Sequence, residues 1–145
     1  MKVDIIEAQK YEKTCVEIHC KKTTNEIESL KNYITRFESF ITATDEDTLY
    51  KIPINSILYI ESVDKKTFLY TNNRVLRTPL KLYEIEEQLN TKQFFRCSKS
   101  MIINLTKVEK LKPEITRNVI ATLSNNEKVI ISRRYVSELK KLLEI

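Results

Sequence analysis

The chain has 145 residues, 41% of them apolar, with 25 Lys+Arg, 20 Asp+Glu, one His, three Cys and no Gly. That is enough apolar chain for one domain with a real core, plus a small appendage, and too much for a disordered segment. It excludes a Gly-rich phosphate loop, a disulfide framework, and a bilayer span, because no apolar run is long enough. The first residues, MKVDIIEAQK, carry acids within the apolar stretch and do not read as a signal peptide. The expected location is the cytoplasm.

Residues 1–42 read as a β-β-α head. KVDIIEA and CVEIHC are the strand-like runs, the second with Val16, Ile18 and Cys20 on one face. TTNEIESLKNYITRF reads as a helix with Thr23 and Glu26 as a capping box. Ile27, Leu30, Ile34 and Phe37 form its apolar stripe. Cys15, Cys20 and Cys97 are expected to be small buried hydrophobes.

Residues 43–145 read as a second, mainly β domain, which makes the fold α+β overall. FITAT and TLYKI lead into it, separated by a turn at DED. SILYIES, TFLYT and VLRT follow, with turns at VDKK and NNR. The pairs Asn72-Asn73 and Asn125-Asn126 supply turn residues that Gly would otherwise supply. Pro79 is placed at the start of a short helix carrying Leu82, Ile85 and Leu89. The strands KVEKL, NVIATL and KVIIS come next. A terminal helix begins at Ser132 as N-cap and packs through Val136, Leu139 and Leu143. Between these elements FFRCSKSMIINL, residues 94–105, reads as a loop whose apolar ends anchor Arg96 and Lys99.

Catalysis has little to work with. His19 is the single histidine, and on a strand it would point away from its neighbour Cys20. Neither a metal-ligand cluster nor a cofactor motif is present, so no enzyme, metal or cofactor is expected. The charge is more informative. Residues 1–50 carry seven Lys/Arg against ten Asp/Glu, whereas residues 51–145 carry eighteen against ten. A basic body points to a polyanion. Its cations gather at turns and element ends: Lys65 and Lys66, Arg74 and Arg77, Arg96 and Lys99, Arg133 and Arg134. The last pair opens a helix, where cations oppose the macrodipole. Without a helix-turn-helix signature or an aromatic ladder, turns on a β scaffold are the expected reading elements.

The series IPINSILYIES, FLYT, FFRCSKSMIINL and ISRRYVSELK resembles the successive motifs of the LytTR DNA-binding domain, across roughly residues 43–145. The whole chain resembles stand-alone bacterial members, which carry a short head in place of a receiver domain. The resemblance implies an elongated β fold with small helices. It also implies turns in the grooves of double-stranded DNA, direct-repeat promoter sites, bending of the duplex and transcriptional regulation. Position by position it implies DNA contacts at Ser62, Lys65, Lys66, Arg96, Ser98, Lys99, Ser100, Asn104, Arg133 and Arg134, with Lys99 and Arg134 reading bases. Ser98 departs from the family pattern, where His is usual. The implied partners are DNA and a small membrane protein that restrains the regulator. The head's apolar stripe, read from its spacing alone, is left to cover the head's own strands, the body or a second copy, which makes the head a candidate dimerisation or regulatory segment. Contact with RNA polymerase is left open. The rival reading is a module for a protein partner or a small ligand, acting through the head.

Overall fold

The computed structural model describes residues 1–12, 14–35, 39–89 and 91–145. The chain divides into two compact units, Met1–Thr35 and Arg36–Ile145. Among the described residues no helix is long and apolar enough to cross a membrane.

The first unit contains one helix, α1 (Asn25–Thr35), and no strand among its described residues. The two expected strands are a correction. Val3, Ile5, Ile6 and Val16 are 61–89% exposed. Alternation gives a strand a face but not a sheet to bury it against, and a lone hairpin is marginal in water. Cys15 and Cys20, expected to be buried, are exposed for the same reason. The start of α1 is shifted by one residue from the expected capping box. The Thr24 hydroxyl, not that of Thr23, accepts from the Ile27 N–H at 3.4 Å. Ile27, Leu30 and Ile34 are half-buried, and Phe37 lies outside the described residues.

The second unit is mainly β, as expected. Its strands are β1 (Phe40–Asp45), β2 (Thr48–Pro53), β3 (Tyr59–Val63), β4 (Lys66–Tyr70), β5 (Val75–Thr78), β6 (Phe94–Ser98), β7 (Met101–Asn104), β8 (Val108–Pro113), β9 (Val119–Leu123) and β10 (Lys128–Ile131). Seven form an antiparallel sheet in the order β2-β1-β5-β4-β3-β7-β6, and three form a second sheet in the order β10-β9-β8. Phe40, Ile41 and Thr42, which open the FITAT strand just before residue 43, pair with Pro53, Ile52 and Lys51 of β2.

Helix α2 (Leu82–Gln88) starts three residues after Pro79, not at it. Its entry is fixed by the Glu84 carboxylate, which accepts from the Lys81 N–H at 3.2 Å. Helix α3 (Arg133–Leu142) begins after Ser132 as expected. The Ser132 side chain makes no capping bond; the first helical N–H, that of Arg133, is instead capped by Asn118 Oδ1 at 2.9 Å.

Residues 94–105 are not a loop but the hairpin β6–β7. The reason lies in the packing. Strands have a side-chain period of two, so neighbours face opposite sides. Phe94 and Ile102 join Ile60, Leu69, Leu76, the α2 residues Leu82 and Ile85, and Leu89 just after that helix in one core. Phe95, Cys97 and Ile103 join Leu58, Leu123, Ile131 and the α3 residue Leu139 in a second. This edge of the large sheet is therefore covered on both faces, and strands covered on both faces carry apolar residues in runs. Each such buried side chain contributes roughly 1.5–3 kcal/mol.

Absence of Gly shows in the turns. Asp64 and Lys65 hold φ of 50° and 65° to close β3–β4 in two residues. A type I′ hairpin turn needs positive φ at both central residues. Asn126 uses the left-handed region at φ 68°, as expected; Asn72 and Asn73 do not.

Candidate nucleic-acid interface

Three segments flagged by their cations converge at one end of the large sheet. The β3–β4 turn carries Ser62, Lys65 and Lys66. The β6–β7 turn carries Ser98, Lys99 and Ser100. The start of α3 carries Arg133 and Arg134. Two backbone bonds join them: Ser62 N–H donates to Ser100 O at 2.8 Å, and Ser132 N–H donates to Cys97 O at 2.8 Å. These bonds fix the spacing of the turns independently of any side chain.

The β6–β7 turn is built from within. The register shifts between Arg96 and Ser98, so that Ser98 pairs with Met101 and only Lys99 and Ser100 lie between the strands. Ser98 Oγ accepts from Ser100 N–H at 3.2 Å. A short hydroxyl at this position thus holds the turn. Cys97 Sγ lies 3.5 Å from Met101 O, and burial pushes its thiol up to about 12. It is a buried hydrophobe, as expected of it.

The charge at this end is not neutralised internally. Among the described residues none of Lys65, Lys66, Lys99, Arg133 and Arg134 pairs with an acid. All five are exposed. No acid sits in the first turn of α3, so Arg133 and Arg134 stand beside the positive end of the macrodipole. An anion there gains from both the arginines and the helix terminus.

Two of the expected contacts are placed elsewhere. Asn104 is fully buried. Its Nδ2 donates to Ile57 O at 2.7 Å, and its Oδ1 accepts from Thr106 N–H at 3.1 Å and Thr106 Oγ1 at 2.7 Å. No polar atom of its side chain is left for DNA. Arg96 is part-buried, its guanidinium bonded to the Ser98 and Lys99 carbonyls and to Glu86. Of the other flagged cations, Arg74 lies at the opposite end of the sheet, 4.6 Å over the Tyr50 ring. Arg77 lies along β5, opposite Phe68 and Thr44.

Sequence reasoning missed Arg117. It lies on the β8–β9 turn at φ 68°, exposed, and next to the Asn118 that caps α3. Its signal was weak, a single cation in ITRN. Asn118 itself had no local signal, since its partner is 15 residues away. Replacing Asn118 by Ala removes the cap and is expected to cost about 1 kcal/mol, read as a lower urea midpoint.

Away from this end, Tyr59 and Tyr70 stack at 4.2 Å with 14° between planes, and Tyr70 Oη donates to Glu61 Oε2 at 3.1 Å. Burial first, and carboxylate neighbours second, push both phenols up. They are structural groups that stay protonated.

The LytTr DNA-binding domain family model matches residues 47–144. The chain belongs to the LytTr DNA-binding domain family. Residues of the chain superpose on the LytTr DNA-binding domain of a Bacillus cereus protein described as a methyl-accepting/DNA response regulator. The TM-score is 0.71 at 28% identity, over 74% of this chain and 98% of that one. The chain is 30% identical over 113 residues to the transcriptional regulatory protein YpdB of Escherichia coli K12, 77% of this chain and 46% of YpdB. It thus spans about half the length of that relative. It is 26% identical over its full length to an uncharacterized HTH-type transcriptional regulator of Staphylococcus aureus MSSA476, covering 99% of it. The helix-turn-helix label belongs to that protein. In this LytTr chain β1 to β5 separate α1 from α2, and β6 to β10 separate α2 from α3.

Proposed function

We propose that this chain is a sequence-specific regulator of transcription that binds double-stranded DNA at direct-repeat promoter sites, with turns set in the grooves. The observation that carries the reading is the convergence of unpaired cations on rigidly spaced turns at one end of the sheet. Lys99 and Arg134 are the proposed base readers. Ser62, Lys65, Lys66, Ser98, Ser100, Arg133 and Arg117 are proposed to hold phosphates or groove edges. Lys and Arg reach guanine O6 and N7 in the major groove, whereas cations and hydroxyls on phosphate set register. The head is proposed as the dimerisation or regulatory segment, supported by the apolar stripe Ile27, Leu30 and Ile34.

The test starts with selection of bound sequences from a random duplex pool. Affinity of the full chain for the recovered duplex is then titrated against salt. Four to six phosphate contacts give a log–log slope of about −4 to −5, at about −0.9 per phosphate. A flat dependence, or a pool that yields no preferred sequence, overturns the proposal.

A further inference from the structure

We infer that Arg96 is a positioning residue, a clamp that fixes the turn presenting Lys99, and that Glu86 of α2 is its anchor. The inference rests on the DNA-binding reading above and goes beyond it by assigning Arg96 and Glu86 a task other than DNA contact.

The β6–β7 turn exposes the carbonyls of Ser98 and Lys99 to the side chain two or three residues before them. The Arg96 fork takes both: Nε donates to Ser98 O at 2.8 Å and one terminal nitrogen donates to Lys99 O. The other terminal nitrogen donates to Glu86 Oε1. All three guanidinium nitrogens are therefore engaged within the protein. The side chain is 28% exposed and Glu86 40%, whereas Lys99 stands in solvent. Glu138 of α3 lines the same hollow as Glu86 and Arg96.

The chemistry selects Arg. Its planar fork reaches two carbonyls and a carboxylate at fixed angles, which a point-charge ammonium does not. With Glu86 balancing its charge, Arg96 adds little to the field at the DNA face. What it adds is geometry. The turn is held from below by a bond to α2, an element of the core, so Lys99 is presented from a fixed backbone.

The experiment uses the full chain, the recovered duplex and a scrambled duplex. Glu86→Gln and Arg96→Lys are compared with wild type, alone and combined with Lys99→Ala, with folded fraction checked by circular dichroism. Loosening the turn is expected to lower specific affinity about tenfold, the size of losing one base contact. Affinity for the scrambled duplex and the salt slope stay as in wild type. Added to Lys99→Ala, either change costs less than about twofold further, because coupled residues are non-additive. Losses that multiply with that of Lys99→Ala, or a slope flatter by about 0.9 in Arg96→Ala, measured alongside as the charge-removing variant, would make Arg96 a DNA contact and overturn the inference. Equal losses on both duplexes would make the pair merely structural and also overturn it. If the wild-type chain itself prefers no sequence, the functional proposal fails first and this inference falls with it.

Discussion

Asn104→Ala is expected to destabilise the second unit by about 3–5 kcal/mol, a large part of the total stability of a domain this size. The Asn104 side chain is fully buried and satisfies three groups at once: the Ile57 carbonyl, the Thr106 N–H and the Thr106 hydroxyl. Its backbone N–H also donates to Leu58 O at 2.9 Å. Ile57 and Leu58 lie in different cores, so this one residue ties the end of β7 to the segment where both cores meet. Truncation leaves the buried Ile57 carbonyl without its partner and opens a cavity, each costing roughly 1–3 kcal/mol, and it also removes the acceptor for the Thr106 N–H and hydroxyl. Asn104→Asp should be nearly as harmful. It keeps the acceptor for Thr106 but sets an oxygen against the Ile57 carbonyl and buries a charge. Urea melts of both variants read the effect. Affinity for DNA per folded molecule should stay at the wild-type value, and a specific loss there would return Asn104 to the interface.

Most of the β architecture was legible because solvent-facing and core-facing residues alternate within short runs. The misreadings share a cause: a sequence states which residues an element has, not what covers it. KVDIIEA and CVEIHC have the alternation of strands, yet Val3, Ile5, Ile6 and Val16 stay exposed with no sheet to join. Phe94-Phe95 and Ile102-Ile103 lack alternation because β6 and β7 are covered on both faces, and so they looked like anchors of a loop. The candidate site divides in the same way. Arg133 and Arg134 were legible because they break the helix-dipole rule, and no packing argument explains them. Arg96 and Asn104 were not legible as internal groups. Their partners Glu86 and Ile57 are 10 and 47 residues away, and only the fold shows that their donors are taken up within the protein. Asn118 is the converse, a residue of no apparent interest that sets the start of α3.

Lys99→Ala and Arg134→Ala are each expected to weaken binding to the selected duplex by about 1–3 kcal/mol and to relax preference at different positions of the site. The two side chains sit on different elements, the β6–β7 turn and the first turn of α3. They are joined through Ser132 N–H to Cys97 O, one residue from Ser98. Both are exposed and unpaired, so neither has to break an internal bond to reach a base. Because they lie on separate elements and share no partner, their effects should add to within about 0.5 kcal/mol. Lys65→Ala is the informative contrast. It lies at the tip of the β3–β4 turn, and as a phosphate contact it should weaken selected and scrambled duplexes alike and lower the salt slope by about 0.9. A quantitative mobility-shift series at several salt concentrations separates these patterns. If Lys99→Ala and Arg134→Ala also fall equally on both duplexes, the turns bind DNA without reading it, and sequence preference must arise from how the duplex deforms around them.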